Sequence, residues 1–294
     1  MVEKKTATLV LGGGSALGLA HIGVLSVLEE HYNIKAVLGT SMGAIVGGLY
    51  ANGLSSSQIL QIATRNSNAR ALSPLHLDRF VSGIFDGRMV LKLFHEWTNS
   101  SRIEDADIPF IACAYDLNSK RSILFNKGFF ADAMRASSSL PLIFAPFSFH
   151  DYLLVDGGTA NPLPLSYAHL YKNDLLIAVN VLPHVEIEAR MVEFHPLPRS
   201  SHKHKLRTEV VLQTVFQNQA YMALKDITQY EPDIVIQAAM PGGRPFAFHR
   251  ASAFYEYGRR TALQTLEEYR EQSFLERVRK HYKAILSKSG SIKF

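Results

Sequence analysis

The chain has 294 residues, 47% of them hydrophobic and 19% charged, which supplies a sizeable core and excludes a disordered chain. A formal net charge of +5, with 26 acidic residues interspersed and no run of five like charges, makes only a weak case for nucleic acid or anionic lipid as a partner. The single cysteine, Cys113, excludes an internal disulfide and with it a stapled secreted scaffold.

Thr6 to Leu11 reads as a strand, and Leu17 to Glu30 as a helix apolar on most sides. The uncharged stretch from Thr6 to Leu28 follows Lys4 and Lys5, as an export signal would. Gly12 to Gly14 interrupt it, so strand, loop and helix is the better reading and a cytoplasmic protein, peripheral to a membrane at most, is the expectation. Ala36 to Leu38 is a short strand ending at Gly39. Ala44 to Ala51 and Ser55 to Asn66 are helical patterns, the second opened by serine caps. Asp86 is placed to cap a helix bearing Met89, Val90, Leu93, Phe94 and Trp97 on one face; that face fits packing on the core better than a lipid-facing lid. Ile108 to Tyr115, Leu153 to Val155, Leu175 to Val181 and Asp233 to Gln237 are strand candidates. Leu206 to Asp226 and Ser252 to Lys288 are long helical patterns. Strands alternating with helices predict an α/β protein with a mostly parallel central sheet. Val185 to Lys205 reads as a basic surface loop; His195, His202 and His204 lack the accompanying ligands that a metal site needs.

Three segments carry chemistry. Gly39-Thr40-Ser41-Met42-Gly43 fits Gly-x-Ser-x-Gly between a strand and a helix. A nucleophilic serine needs a sharp turn to project its oxygen into a cleft, and a helix N-terminus behind it favours developing negative charge. Gly12, Gly13, Gly14 and Ser15 form a second loop between strand and helix. It lacks the Lys of a phosphate-binding loop, and Leu17 breaks the dinucleotide register. A backbone nest aimed at an oxyanion is the remaining reading. A serine also needs a base. None of the twelve histidines, His21 and His150 included, sits in a compelling strand-end context. Asp156, followed by Gly157 and Gly158 at the end of an apolar run, is the better candidate, and Asp116 at another strand end is its rival; either could instead cap a turn. Cys113, in an apolar run, reads as a buried small side chain and not as a thiol nucleophile.

Taken in order, these segments resemble the patatin-like phospholipase family. The resemblance rests on Gly12 to Leu25, on Gly39 to Ala44, on Arg135-Ala136-Ser137-Ser138-Ser139-Leu140-Pro141, and on Asp156-Gly157-Gly158 with Asn161-Pro162-Leu163-Pro164. It implies a three-layer α/β/α sandwich in a single domain over 1–294, with a motif-bearing core about 6–181 and a C-terminal helical extension about 206–294. It further implies a Ser41–Asp156 pair as nucleophile and base without a histidine, an oxyanion loop at Gly12 to Ser15, fatty-acyl esters as substrates, and neither metal nor organic cofactor. Transient contact with a membrane surface fits such a substrate. One departure stands out: the family usually carries Arg or Lys where this chain has Leu17. That change is expected to affect the oxyanion loop or the choice of headgroup. An acyltransferase or thioesterase with the same pair, or a lipid-binding regulatory protein with a weak site, are the alternatives.

Overall fold

Rich in β-branched and aliphatic residues, Thr6–Leu11 forms β1 in the middle of the sheet in this computed structural model, which describes residues 4–67, 87–186 and 207–289. The other strands, in chain order, are β2 (Asn33–Thr40), β3 (Phe110–Asp116), β4 (Arg121–Phe125), β5 (Phe147–Phe149), β6 (Tyr152–Asp156), β7 (Leu175–Asn180) and β8 (Ile234–Gln237). The helices are α1 (Ala20–His31), α2 (Met42–Ala51), α3 (Ser56–Ser67), α4 (Arg88–Thr98), α5 (Phe130–Ser137), α6 (Arg207–Tyr230) and α7 (Ala251–Ser289). The path of hydrogen-bonded neighbours runs β5-β6-β3-β2-β1-β7-β8, with β4 also paired to β3. From β3 to β8 all neighbours are parallel, whereas β4, β5 and β6 enter antiparallel.

The sheet is covered on both faces, as a parallel sheet must be. Leu9, Leu11, Val37 and Ile177 belong to the cluster shared with α1, α2 and α7. Their alternates Val10, Leu38, Ile111 and Ala178 face the other way, against Phe216, Ala220 and Ala223 of α6. Those three α6 residues recur at helical spacing, and Gln217, Asn218 and Lys225 between and beyond them are exposed. The result is three layers, α/β/α, as the resemblance implies.

One detail of the pairing places the site. Cys113 pairs with Thr40 of β2 and with Leu124 of β4, and the next residue, Ala114, pairs with Asp156 of β6 and with Ile123 of β4. A strand has two edges, so β2 and β6 share one edge of β3 while β4 occupies the other. β2 runs parallel to β3 and β6 antiparallel. Their C-terminal ends therefore meet head to head, Thr40 beside Cys113 and Asp156 beside Ala114.

Several expected boundaries move. The first helix starts at Ala20 because Ser15–Leu19 is a tighter turn, with the Leu17 N–H bonded to the Gly14 carbonyl and the Ala16 N–H to that of Pro245. β2 is longer than its apolar stretch, since β1 pairs with it from Asn33 on. β4, β5 and α5 were not marked by the sequence pattern at all. Asp86 lies outside the described residues, as do His195, His202 and His204. The apolar face of α4 packs inward: Phe94 is buried and Val90, Leu91 and Trp97 lie against the core, while Met89 is exposed. No helix among the described residues is long and apolar enough to cross a membrane.

α1 and α7 approach closely because each supplies a glycine. A methyl group at Gly258 would lie 2.0 Å from the Ala20 carbonyl oxygen, and one at Gly23 would lie 1.9 Å from that of Tyr255. Gly258→Val is expected to cost roughly 1–3 kcal/mol, the range for overpacking a filled contact. Urea unfolding checks this, and an unchanged midpoint would mean the two helices can part freely.

Candidate active site

Ser41 follows β2 and caps α2 with φ 55° and ψ −121°, a strained backbone for a residue with a side chain. The sharp turn brings backbone within reach of backbone. A methyl group at Gly43 would lie 2.2 Å from the Leu11 carbonyl oxygen, and one at Gly39 would lie 2.5 Å from that of Gly43. These are the two glycines of the Gly-x-Ser-x-Gly motif, and the close approach explains both.

The Ser41 hydroxyl donates to Asp156 Oδ2 at 2.6 Å. Its backbone N–H donates to Ser137 Oγ at 2.9 Å, and Ser137 Oγ donates in turn to the Cys113 carbonyl at 2.6 Å. The turn is thereby tied to the strand on which both ends meet. Asp156 is only 1% exposed and Ser41 9%. The other carboxylate oxygen of Asp156 accepts the Gly158 N–H at 2.8 Å. Burial pushes the carboxyl up to about 6, against the hydrogen bonds from Ser41 and Gly158 that pull it down. It is thus ionised at neutral pH yet far more basic than an exposed aspartate. Gly157 is required here because a methyl group on it would lie 2.1 Å from the Cys113 carbonyl oxygen.

Asp116, the rival base, does something else. Its carboxylate accepts backbone N–H groups from Asn118, Ser119 and Leu153. With the Ser119 hydroxyl these hold its carboxyl at about 2, and it closes the turn after β3. Cys113 is fully buried and its thiol is pushed up to about 12, chiefly by that burial, which makes it inert as a nucleophile. His150 occupies a turn between β5 and β6.

The glycine loop abuts the serine: a methyl group at Gly13 would lie 3.3 Å from Ser41 Cβ. Not all of its N–H groups are available. That of Gly12 donates to the Val179 carbonyl at 3.0 Å and that of Gly13 to the Pro162 carbonyl at 2.8 Å. This corrects the reading of all four residues as donors, because the loop is fastened to β7 and to the Asn161-Pro162 segment by its first two amides. The N–H groups of Gly14 and Ser15 have no partner among the described residues. His21 fastens the loop from below, its Nε2 lying 2.8 Å from the Gly12 carbonyl oxygen. A carbonyl can only accept, so Nε2 carries the proton and Nδ1, buried, has no partner. Burial pushes His21 down to about 4, so the ring is neutral at physiological pH. Leu17 is buried, with Gly243 packed against it, so an apolar contact stands next to the loop at this position.

Sequence reasoning missed two contributors, both late in the chain. Pro245 accepts from the Ala16 N–H just after the glycine loop, and Gln219 of α6 lies against Gly158, where a methyl group would meet its Nε2 at 2.5 Å. Nothing in their local sequence marks them; helical periodicity places Gln219 next to Ala220 at the edge of the buried face. Farther along α6, Met222, Lys225 and Asp226 line an open groove of about 460 Å³ with Ala160.

Residues 9–169 match the sequence profile of the patatin-like phospholipase family. The chain belongs to that family. The patatin-like segment contains Ser41, Asp156 and the glycine loop, whereas α6 and Pro245 lie beyond it. Among relatives, an uncharacterized NTE family protein of Mycobacterium tuberculosis is 36% identical over 176 residues, covering 59% of this chain and 48% of that protein. Lysophospholipase NTE1 of Candida albicans is 30% identical over 189 residues, 62% of this chain and 13% of its own length. The chain thus spans about half the length of the mycobacterial relative and a small part of the yeast one. Among solved structures, VipD from Legionella pneumophila superposes with a TM-score of 0.45 at 12% identity, over 91% of this chain and 67% of that one.

Proposed function

We propose that this patatin-like chain is a serine hydrolase of fatty-acyl esters in lysophospholipids, phospholipids or related lipids. The observation that carries the reading is the 2.6 Å hydrogen bond from Ser41 to a buried carboxylate. Asp156 takes the hydroxyl proton as Ser41 Oγ attacks the ester carbonyl. The carbonyl oxygen becomes an oxyanion held by the Gly14 and Ser15 N–H groups, with the first turn of α2 adding its unpaired amides and dipole. The proton on Asp156 passes to the leaving alcohol. Water, deprotonated by the same carboxylate, then attacks the acyl-enzyme and releases the fatty acid. His21 takes no part in proton transfer and holds the loop through the Gly12 carbonyl. No step calls for a metal or an organic cofactor.

Membership of a phospholipase family and a relative named lysophospholipase support lipid esters as the substrate class. The test is a panel of monoacyl and diacyl phospholipids in mixed micelles, with released fatty acid measured for the parent chain. Transfer of the acyl group to an added lysolipid or alcohol in preference to water would replace hydrolase by acyltransferase. Lipid binding without turnover would replace the enzyme reading altogether.

A smaller prediction arises from the loop. His21→Leu removes the donor to the Gly12 carbonyl and is expected to slow acylation on the order of tenfold to a hundredfold, by displacing donors worth up to 10²–10³ each. His21→Gln, which retains a donor, should recover part of that loss. Stopped-flow acylation with a chromogenic ester checks both.

A further inference from the structure

We propose that Gln219 is a substrate-contacting residue whose carboxamide hydrogen-bonds polar oxygens on the leaving-alcohol side of the ester held at Ser41. The inference rests on the hydrolase reading above and adds to it a specificity determinant outside the family-matched segment.

Gln219 is 5% exposed. Its carboxamide has no hydrogen-bond partner among the described residues. A buried amide in that condition is costly unless something else completes it. Its place is specific. A methyl group at Gly158 would sit 2.5 Å from Gln219 Nε2 and 3.0 Å from Asp156 Oδ1, and two atoms that near one point lie within about 5.5 Å of each other. Asp156 does not need it, since one carboxylate oxygen already accepts from Gly158 and the other from Ser41. The amide therefore stands beside the reacting groups with its donors and acceptor unspent.

The chemistry of the group limits what it recognises. A neutral carboxamide offers a donor and an acceptor together, which suits a hydroxyl or ester oxygen and adds no charge beside Asp156. The helix also gives such a substrate somewhere to go. Met222 and Asp226 follow Gln219 at three and seven positions, on one side of α6, and line the groove beside Ala160. Ala160 ends the turn that Asp156 begins. An alcohol with polar atoms next to the ester, such as a glycerol unit, gains the contact; an aryl alcohol does not.

The experiment uses the full chain and two substrates with the same acyl group, a 1-acyl lysophosphatidylcholine and a p-nitrophenyl ester. Gln219→Met keeps the volume and removes the hydrogen bonds. It should lower kcat/KM for the lysolipid on the order of tenfold while the aryl ester stays within about twofold. Gln219→Glu places a second carboxylate near Asp156 and should move the acid limb of the aryl-ester profile to higher pH. It also serves as the second variant if Gln219→Met does not fold. Equal losses on both substrates would assign Gln219 to packing on Gly158 and overturn the proposal, as would no loss on either together with an unmoved limb. If the parent chain turns over neither substrate and does not react with a fluorophosphonate, the hydrolase reading itself has failed. If the parent is active on both and only the substrate ratio is unmoved, that reading stands and Gln219 alone is misassigned.

Discussion

Replacing Ser41 with alanine is expected to abolish labelling by a fluorophosphonate and to lower lipid turnover on the order of 10⁴-fold or more. The proposed chemistry has one covalent acceptor, and the chain's one thiol does not compete with it: Cys113 is buried with its thiol pushed up to about 12. The fold should tolerate the change. Ser41 is anchored through its backbone N–H to Ser137, a bond that alanine keeps. Relief of the hydrogen bond leaves only Asp156 Oδ2 without its donor. An intact thermal transition with no labelling would establish the serine as the reactive group. Labelling that persists in Ser41→Ala would place the reactive hydroxyl elsewhere and remove the central claim.

Replacing Asp156 with asparagine is expected to cost 10²–10⁴ in the rate of acylation, the usual contribution of a general base. The pH profile of the parent should show the same group. Only the ionised carboxylate can take a proton, so kcat/KM should rise with pH and level off above an apparent pKa of about 6. Fluorophosphonate labelling, which needs no lipid interface, should follow the same limb, and a profile flat from pH 5 to 8 would exclude Asp156 as the base.

Stability should move in the opposite sense. The folded chain holds a proton on Asp156 up to about pH 6, whereas an unfolded aspartate releases it near 3.8. Across that window the native state binds more protons, so this group lowers stability as pH rises. A shift of about two pH units corresponds to about 3 kcal/mol at most. Asp156→Asn should therefore melt higher than the parent at pH 8, with the gap closing by pH 4. His21 acts in the other direction. It is pushed down to about 4 from an ordinary 6.5, so the unfolded chain takes up a proton there first and stability falls as pH drops through that range. A differential scan of parent and Asp156→Asn at several pH values separates the two groups, because only one of them is removed.

The elements with long apolar runs were legible in the sequence: β1, β3, β7, α2 and the two late helices lie where periodicity puts them. Ser41 was legible because its turn requires two glycines at fixed spacing, and a steric demand leaves a local mark. Asp156 was only half legible. Asp116 ends an equally apolar strand, and what separates them is whether backbone N–H groups or a serine meet the carboxylate, which is decided by partners far along the chain. β4 and β5 escaped because they are short, partly exposed strands whose pairing supplies the order that their composition lacks. The glycine loop between β1 and the first helical turn was legible as a loop, but its amides could not be sorted, since the carbonyls that occupy Gly12 and Gly13 come from Val179 and Pro162. Gln219 and Pro245 carry no local signal at all; they matter through what they touch.

The head-to-head meeting of β2 and β6 on one edge of β3 also bears on when the protein becomes reactive. Ser41 leaves the ribosome 115 residues ahead of Asp156. At roughly 5–20 residues per second that is a delay of roughly 6–23 s. If Asp156 is the base, as proposed, the serine is an ordinary alcohol throughout that delay and stays so until Tyr152–Asp156 docks beside Ala114–Asp116. On the proposed mechanism, a nascent or half-folded chain lying against a bilayer leaves its lipids intact, and ester-cleaving activity arrives only with the completed sheet.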